Sequence, residues 1–135
     1  MAFHEFLDHT SEVRLRVRGD SFADVVAEAG EAIGRLLRDE VGDRGAAAAR
    51  TVHVTGRDPE ALLVHWLNEI VYVAEVEQWV PTRVREVVVE GDTLRVSCTG
   101  VQLARAPSRV KAATFHGLRA RAVDGETEVE VVLDV

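Results

Sequence analysis

Near the start of the chain the hydrophobic period changes from two to about 3.6 residues over a three-residue junction, and no other feature restricts the fold so strongly. In "VRLRVRG" (13–19), Val13, Leu15 and Val17 alternate with Arg14, Arg16 and Arg18. That is a strand with one face buried and one wet. In "GDSFADVVAEAGEAIGRLLRDEVG" (19–42), Phe22, Val25, Val26, Ala29, Ile33, Leu36 and Leu37 then form a single helical stripe. Ser21 followed by Asp24 predicts a capping-box start, with Asp in place of the usual Glu or Gln. A strand running straight into an amphipathic helix needs a second apolar surface nearby, which points to a layered α and β architecture.

The rest of the chain repeats the pattern. Gly42, Gly45 and the small residues of "RGAAAAR" predict a loop, and "TVHVTG" (51–56) alternates as a strand. "RDPEALLVHWLNEIVYVAEVEQ" (57–78) is the strongest helix, with Asp58 as N-cap, Pro59 at the first helical position and Glu60 at the positive end of the dipole. Its buried stripe is Leu62, Leu63, Trp66, Leu67, Ile70, Val71 and Ala74. From residue 79 onward strands prevail, with turns predicted at "EGDT" (90–93) and "VDGET" (123–127). "SRVKAATFHGLRARAV" (108–123) is expected as one long alternating strand, and "EVEVVLDV" (128–135) as the last. The order is about two strands, helix, strand, helix, then a strand meander. The expectation is an α+β fold, a single domain over 1–135 with two helices packed on one face of a mostly antiparallel mixed sheet.

Composition narrows the function. The net charge of −7, from 16 basic and 23 acidic side chains, disfavours direct nucleic-acid binding, which draws its affinity largely from phosphate neutralisation. The arginine stripe 14/16/18 and its counterpart Arg119 and Arg121 therefore predict cross-strand ion pairs with Glu128 and Glu130 rather than a phosphate site. Cys98 is the only cysteine, which excludes a thiolate zinc site, and its mid-strand setting predicts a buried, unreactive thiol. His53 is expected at the surface and His65 at the edge of the helix stripe. No apolar run reaches membrane-spanning length and the first residues carry no secretion signal, so a cytoplasmic protein without membrane association is expected.

Two acidic features remain. "DHTSE" (8–12) places Asp8, His9 and Glu12 at the mouth of a strand, and "VVLDV" (131–135) runs an apolar strand into Asp134 and the carboxylate of Val135. Two readings fit. If the first and last strands are neighbours, Glu12, Asp134 and Val135 converge as an all-oxygen site for Ca²⁺, Mn²⁺ or Mg²⁺. Otherwise Asp8 and Thr10 make an Asx- or ST-type turn and the last residues are simply solvated. Spacing does not choose between them.

Four blocks in order resemble the archease family: "FLDHTSEVRLRVRGDSFADVVAEAGEAI", "LLVHWLNEIVYVAEVE", "RVKAATFHGL" and "VVLDV". The resemblance implies a protein that is not an enzyme but activates an RtcB-type RNA ligase, promoting its guanylylation and repeated turnover in tRNA splicing and RNA repair. It also implies a divalent-metal site at Glu12, Asp134 and Val135. Asp8, His9, Lys111 (the only lysine) and His116 are accessory or partner-facing candidates. This chain departs from the family pattern at Glu12, where Asp is usual, at Ser11, where Ala is usual, and in the short segment 99–108. Glutamate reaches one methylene further, which Ca²⁺ accommodates more readily than Mg²⁺. The alternatives are a small carboxylate-metal hydrolase with His9 as general base, or a chaperone-like binding module.

Overall fold

A computed structural model describes residues 2–9 and 12–135 of the chain. The described residues form strands β1 (Phe3–His9), β2 (Glu12–Gly19), β3 (Asp43–Thr55), β4 (Trp79–Glu90), β5 (Thr93–Leu103), β6 (Ala112–Val123) and β7 (Glu126–Asp134). Helices α1 (Phe22–Val41) and α2 (Pro59–Glu77) interrupt them. Every strand pairing is antiparallel, in a four-stranded sheet of order β1-β2-β7-β6 and a three-stranded sheet of order β3-β5-β4. The α+β class is as expected; the division of the strands between two sheets is not read from the sequence.

The division follows from α2. Its buried residues, Ala61 to Val64, Trp66, Leu67, Ile70, Val71, Val73 and Ala74, lie nearly all around the helix. A helix apolar on most sides needs cover on more than one. It packs against β6 of one sheet and against β3, β4 and β5 of the other, while α1 lies against β2 and β4. The core between them includes Leu15, Val17, Ile33, Leu37, Leu63, Leu67, Leu94, Val131 and Leu133, all essentially inaccessible. No helix among the described residues is long and apolar enough to cross a membrane.

The helix starts are as predicted. Ser21 Oγ accepts the Asp24 N–H at 3.2 Å, and Asp58 Oδ1 accepts the Ala61 N–H at 2.8 Å. The helices approach closely because Gly30 has no side chain. A Cβ there would sit 2.6 Å from Trp66, whose indole N–H donates to the Val26 carbonyl at 3.0 Å.

Two local expectations are corrected. Residues 43–50 are not a loop but the first half of β3. Register shifts between Asp43/Ala46 and Ala47/Arg50 let this small-residue, turn-like stretch join the sheet as bulges. The strand expected over 108–123 begins only at Ala112, because Glu40 of α1 holds the preceding segment by accepting the Ser108 and Arg109 N–H groups, both at 2.9 Å. The register of β6 also breaks between Thr114 and Arg119, around Gly117. Residues 3–9 form β1, which with β2 makes up the pair of strands expected before the first helix, although its bounds are not read from the sequence.

Candidate metal centre

The ends of the chain meet. In the β2–β7 register Glu12 pairs with Asp134. On the flanks of this pair, His9 of β1 opposes Glu12 and Ala112 of β6 opposes Asp134. One row therefore crosses all four strands as His9, Glu12, Asp134, Ala112. Directly paired residues share a sheet face. Val13, Leu15 and Val17 occupy the core face of β2, so Glu12 and Asp134 lie on the open one.

The same face carries a charge ladder. Arg16 Nε lies 3.2 Å from Glu128, Arg18 3.5 Å from Glu128, and Arg121 donates to Glu128 at 3.1 Å. Arg14 lies 3.9 Å from Glu130, and Arg16 2.6 Å from Glu5. The predicted cross-strand pairing of the arginines is thus observed for Arg14, Arg16, Arg18 and Arg121. Glu128 is only 2% exposed, yet it is covered by guanidinium groups that are themselves wet rather than by apolar packing. Burial pushes its pKa up, but the hydrogen bond and charge of Arg121, then the charges of Arg18 and Arg16, outweigh this and hold it below the usual carboxylate range.

The ladder stops short of the Glu12–Asp134 row. Glu12 has one guanidinium neighbour, Arg14 at 3.4 Å, while Asp134 and Val135 are exposed. Both side chains of this pair are about three-quarters covered, and at 3.4 Å the contact is a long one. Two carboxylates stand in register on adjacent strands, with Val135 following Asp134 in the chain, so the donors the row offers are oxygen atoms. Such a set fits a hard divalent cation and offers nothing to a soft one. Among the described residues no three His, Cys, Asp or Glu side chains gather as a ready-made site.

Two clamps hold the β6 end of the row. Lys111 donates its backbone N–H to the Asp134 carbonyl at 2.8 Å. Asn68 of α2 then grips the edge of β6 like a strand partner, accepting the Ala113 N–H at 2.7 Å and donating to the Ala113 carbonyl at 3.0 Å. Sequence reading missed Asn68. Its only signal is one amide inside the otherwise apolar "LLVHWLNEIV".

The other candidates are distributed differently. The Lys111 side chain lines a cleft of about 250 Å³ with Val71 and Glu75 of α2. His116 is exposed within the irregular part of β6, away from the row. Asp8 pairs in register with Val13, one residue out of phase with the row. His9 is in the row by register. The turn reading of Asp8 and Thr10 lies outside the described residues. Cys98 is buried, as expected; burial, then the charge of Glu31, pushes its thiol up to about 11. His53 is exposed, as expected, and so is His65.

Similarity to known proteins places the chain and its fold. The chain is 29% identical over 140 residues to protein archease of Methanosarcina acetivorans, covering 98% of this chain and 95% of that protein. It is 29% identical to the archease of Archaeoglobus fulgidus, covering 98% of each. In fold it resembles the solution structure of protein 1598 of Methanobacterium thermoautotrophicum (TM-score 0.70, 24% identity, 98% of both chains). It also resembles the crystal structure of a Thermotoga maritima archease described as a possible chaperone (TM-score 0.63, 20% identity, 96% of this chain and 94% of that one). The archease protein family (MTH1598/TM1083) matches residues 4–135. The chain belongs to the archease family.

Proposed function

We propose that this protein is a non-catalytic partner that holds a divalent cation at Glu12, Asp134 and Val135 and activates an RtcB-type RNA ligase in the cytoplasm, during tRNA splicing or RNA repair. One observation carries the reading: the register pairing of Glu12 with Asp134 at the exposed end of the open sheet face. These are the positions at which the archease resemblance implies the metal ligands.

The residues fit the task in three respects. Glu12 and Asp134 are held by strands rather than loops, so their separation is set by the sheet. The Lys111 N–H ties the start of β6 to Asp134, and Asn68 ties β6 to α2 beside it. The net charge of −7 is complementary to a basic RNA-binding ligase and speeds encounter more than it tightens the complex. A bound Ca²⁺, Mn²⁺ or Mg²⁺ would present positive charge to nucleotide phosphates on the ligase. The protein itself binds no RNA in this reading.

The test combines purified protein, its cognate ligase, GTP and the cation. Ligase guanylylation and multiple-turnover joining are expected to rise with the wild type and to fall to the ligase-alone level with Asp134→Ala. Equal ligase activity with and without the protein refutes the reading. Suppression of client aggregation by wild type and Asp134→Ala alike, independent of divalent cations, would instead indicate a chaperone.

A further inference from the structure

The second sheet has an open edge with its own chemistry. β3 pairs only with β5, so its other side faces outward. The backbone phase over 51–55 is fixed by the next residue: Gly56 donates its N–H to the Asp92 carbonyl at 2.9 Å, toward β5. Antiparallel residues alternate between bonding the partner strand and turning away from it. Val54 and Val52 therefore bond β5, while Thr51, His53 and Thr55 turn their N–H and C=O groups to the free edge. Two contacts agree with that phase. The Thr55 carbonyl accepts from His65 Nδ1 of α2, and the Thr51 and Ser97 hydroxyls meet at 3.2 Å, as side chains of a non-bonded pair do. The Thr51 and His53 groups and the Thr55 N–H remain as a row of edge donors and acceptors.

Such edges are normally disrupted. β4 carries Pro81 and two register shifts, β6 is broken between Thr114 and Arg119, and β3 itself shifts register twice before Arg50, whereas β1 is regular throughout. The β3 edge keeps regular register over Arg50–Thr55. Beside it, two clefts of about 530 and 470 Å³ run between β3 and α2 and share His53 and Glu69. They make an open surface channel beside β3 from Arg50 to Thr55, five residue steps that span roughly 17 Å in a strand. Val54 and Val73 give it apolar lining, and Tyr72, 57% exposed, stands on its rim. Its charge is acidic: Glu77 is neutralised by Arg50 at 2.8 Å, and Glu69 has no ion-pair partner among the described residues.

We propose that the β3 edge and its channel capture an extended peptide segment, which adds as a strand beside Thr51 and His53 and turns apolar side chains and one basic side chain toward α2. A row of unsatisfied main-chain groups is complemented by another main chain. Successive strand side chains point to opposite faces, so Val54, Val73 and Glu69 all meet the α2-facing set of the peptide: apolar at most of its positions and basic at the one beside Glu69. A second copy of this chain fits less well, because it would bring another net charge of −7 and another Glu69 to the same place. The proposal is independent of the carboxylate site.

The probe is a fluorescent peptide with valine, lysine and valine at alternate positions and serine between them, at low salt, with the intact protein. It is expected to bind, to slow amide exchange at Thr51 and His53 at least about tenfold when saturating, and to leave Val52 and Val54 unchanged. N-methylating one alternate set of peptide nitrogens is expected to abolish binding, while methylating the other set is tolerated. Glu69→Lys, at a solvent-accessible helix position, is expected to weaken the lysine peptide by about five- to tenfold and to favour a glutamate–valine peptide. The proposal is overturned if both methylated sets bind, if Glu69→Lys changes nothing, or if Thr51 and His53 gain no protection. Protection that grows with protein concentration without peptide would also overturn it, since a second copy would then be the occupant.

Discussion

Replacing Asp134 by Asn is expected to stabilise the metal-free protein and remove its response to divalent cations. Paired residues on adjacent antiparallel strands have Cβ atoms about 4.5–5.5 Å apart. Two carboxylates at about 5 Å repel by about 0.8 kcal/mol in bulk water and about 3 kcal/mol at an effective dielectric of about 20. The Glu12–Asp134 row faces water, and Arg14 lies 3.4 Å from Glu12, so the lower end applies. Like charges directly opposite each other on strands cost about 0.2–1 kcal/mol in practice. Asp134→Asn keeps shape and hydrogen bonding but removes that repulsion. In EDTA its Tm is expected to rise by about 1–4 °C, at roughly 3–4 °C per kcal/mol for a domain of this size. A cation at about one hundred times its Kd adds about 2.7 kcal/mol, or roughly 8–10 °C, to the wild type alone. Thermal unfolding followed by circular dichroism, with and without Ca²⁺, Mn²⁺ and Mg²⁺, reads both effects. A variant less stable than wild type in EDTA, or one that keeps the full cation shift, refutes the reasoning.

Other outcomes test the framework around the site. Because Glu128 ionises below its ordinary value of 4.5, its arginine contacts contribute stability above that pH, and this contribution is lost as the pH falls through the folded value. Urea unfolding from about pH 6 to about pH 3 should show wild type losing more stability than Glu128→Gln. Gly30→Ala should destabilise the protein by about 1–2 kcal/mol, since crowding of Trp66 outweighs the gain of up to about 1 kcal/mol in helix propensity; chemical denaturation measures it. With its thiol pushed up to about 11, Cys98 should be alkylated by iodoacetamide near neutral pH only as fast as the protein opens, as mass spectrometry under native and denaturing conditions would show.

Much of the fold was legible because its signals are local. Val13, Leu15 and Val17 announce their strand, and Ser21 and Asp58 announce the helices they cap. What was not legible depends on distant residues. β1 hides because "FHEFLDH" shows no clean alternation, and only its pairing with β2 makes it a strand. The alanine run 46–49 reads as a loop until β5 supplies hydrogen bonds around its bulges. The late start of β6 depends on Glu40, 68 residues before Ser108, and the Asn68 clamp spans 45 residues. At the candidate site, residue types and their family resemblance named Glu12 and Asp134, but no spacing rule contains a register. Their pairing follows from β2 and β7 being neighbours.

The most direct measurement is X-ray diffraction from crystals soaked in Mn²⁺, recorded where manganese scatters anomalously. A single peak at about 2.1–2.5 Å from oxygen atoms of Glu12, Asp134 and Val135, absent in Asp134→Asn crystals, is the predicted result. Manganese bound elsewhere, or bound equally by the variant, would contradict it.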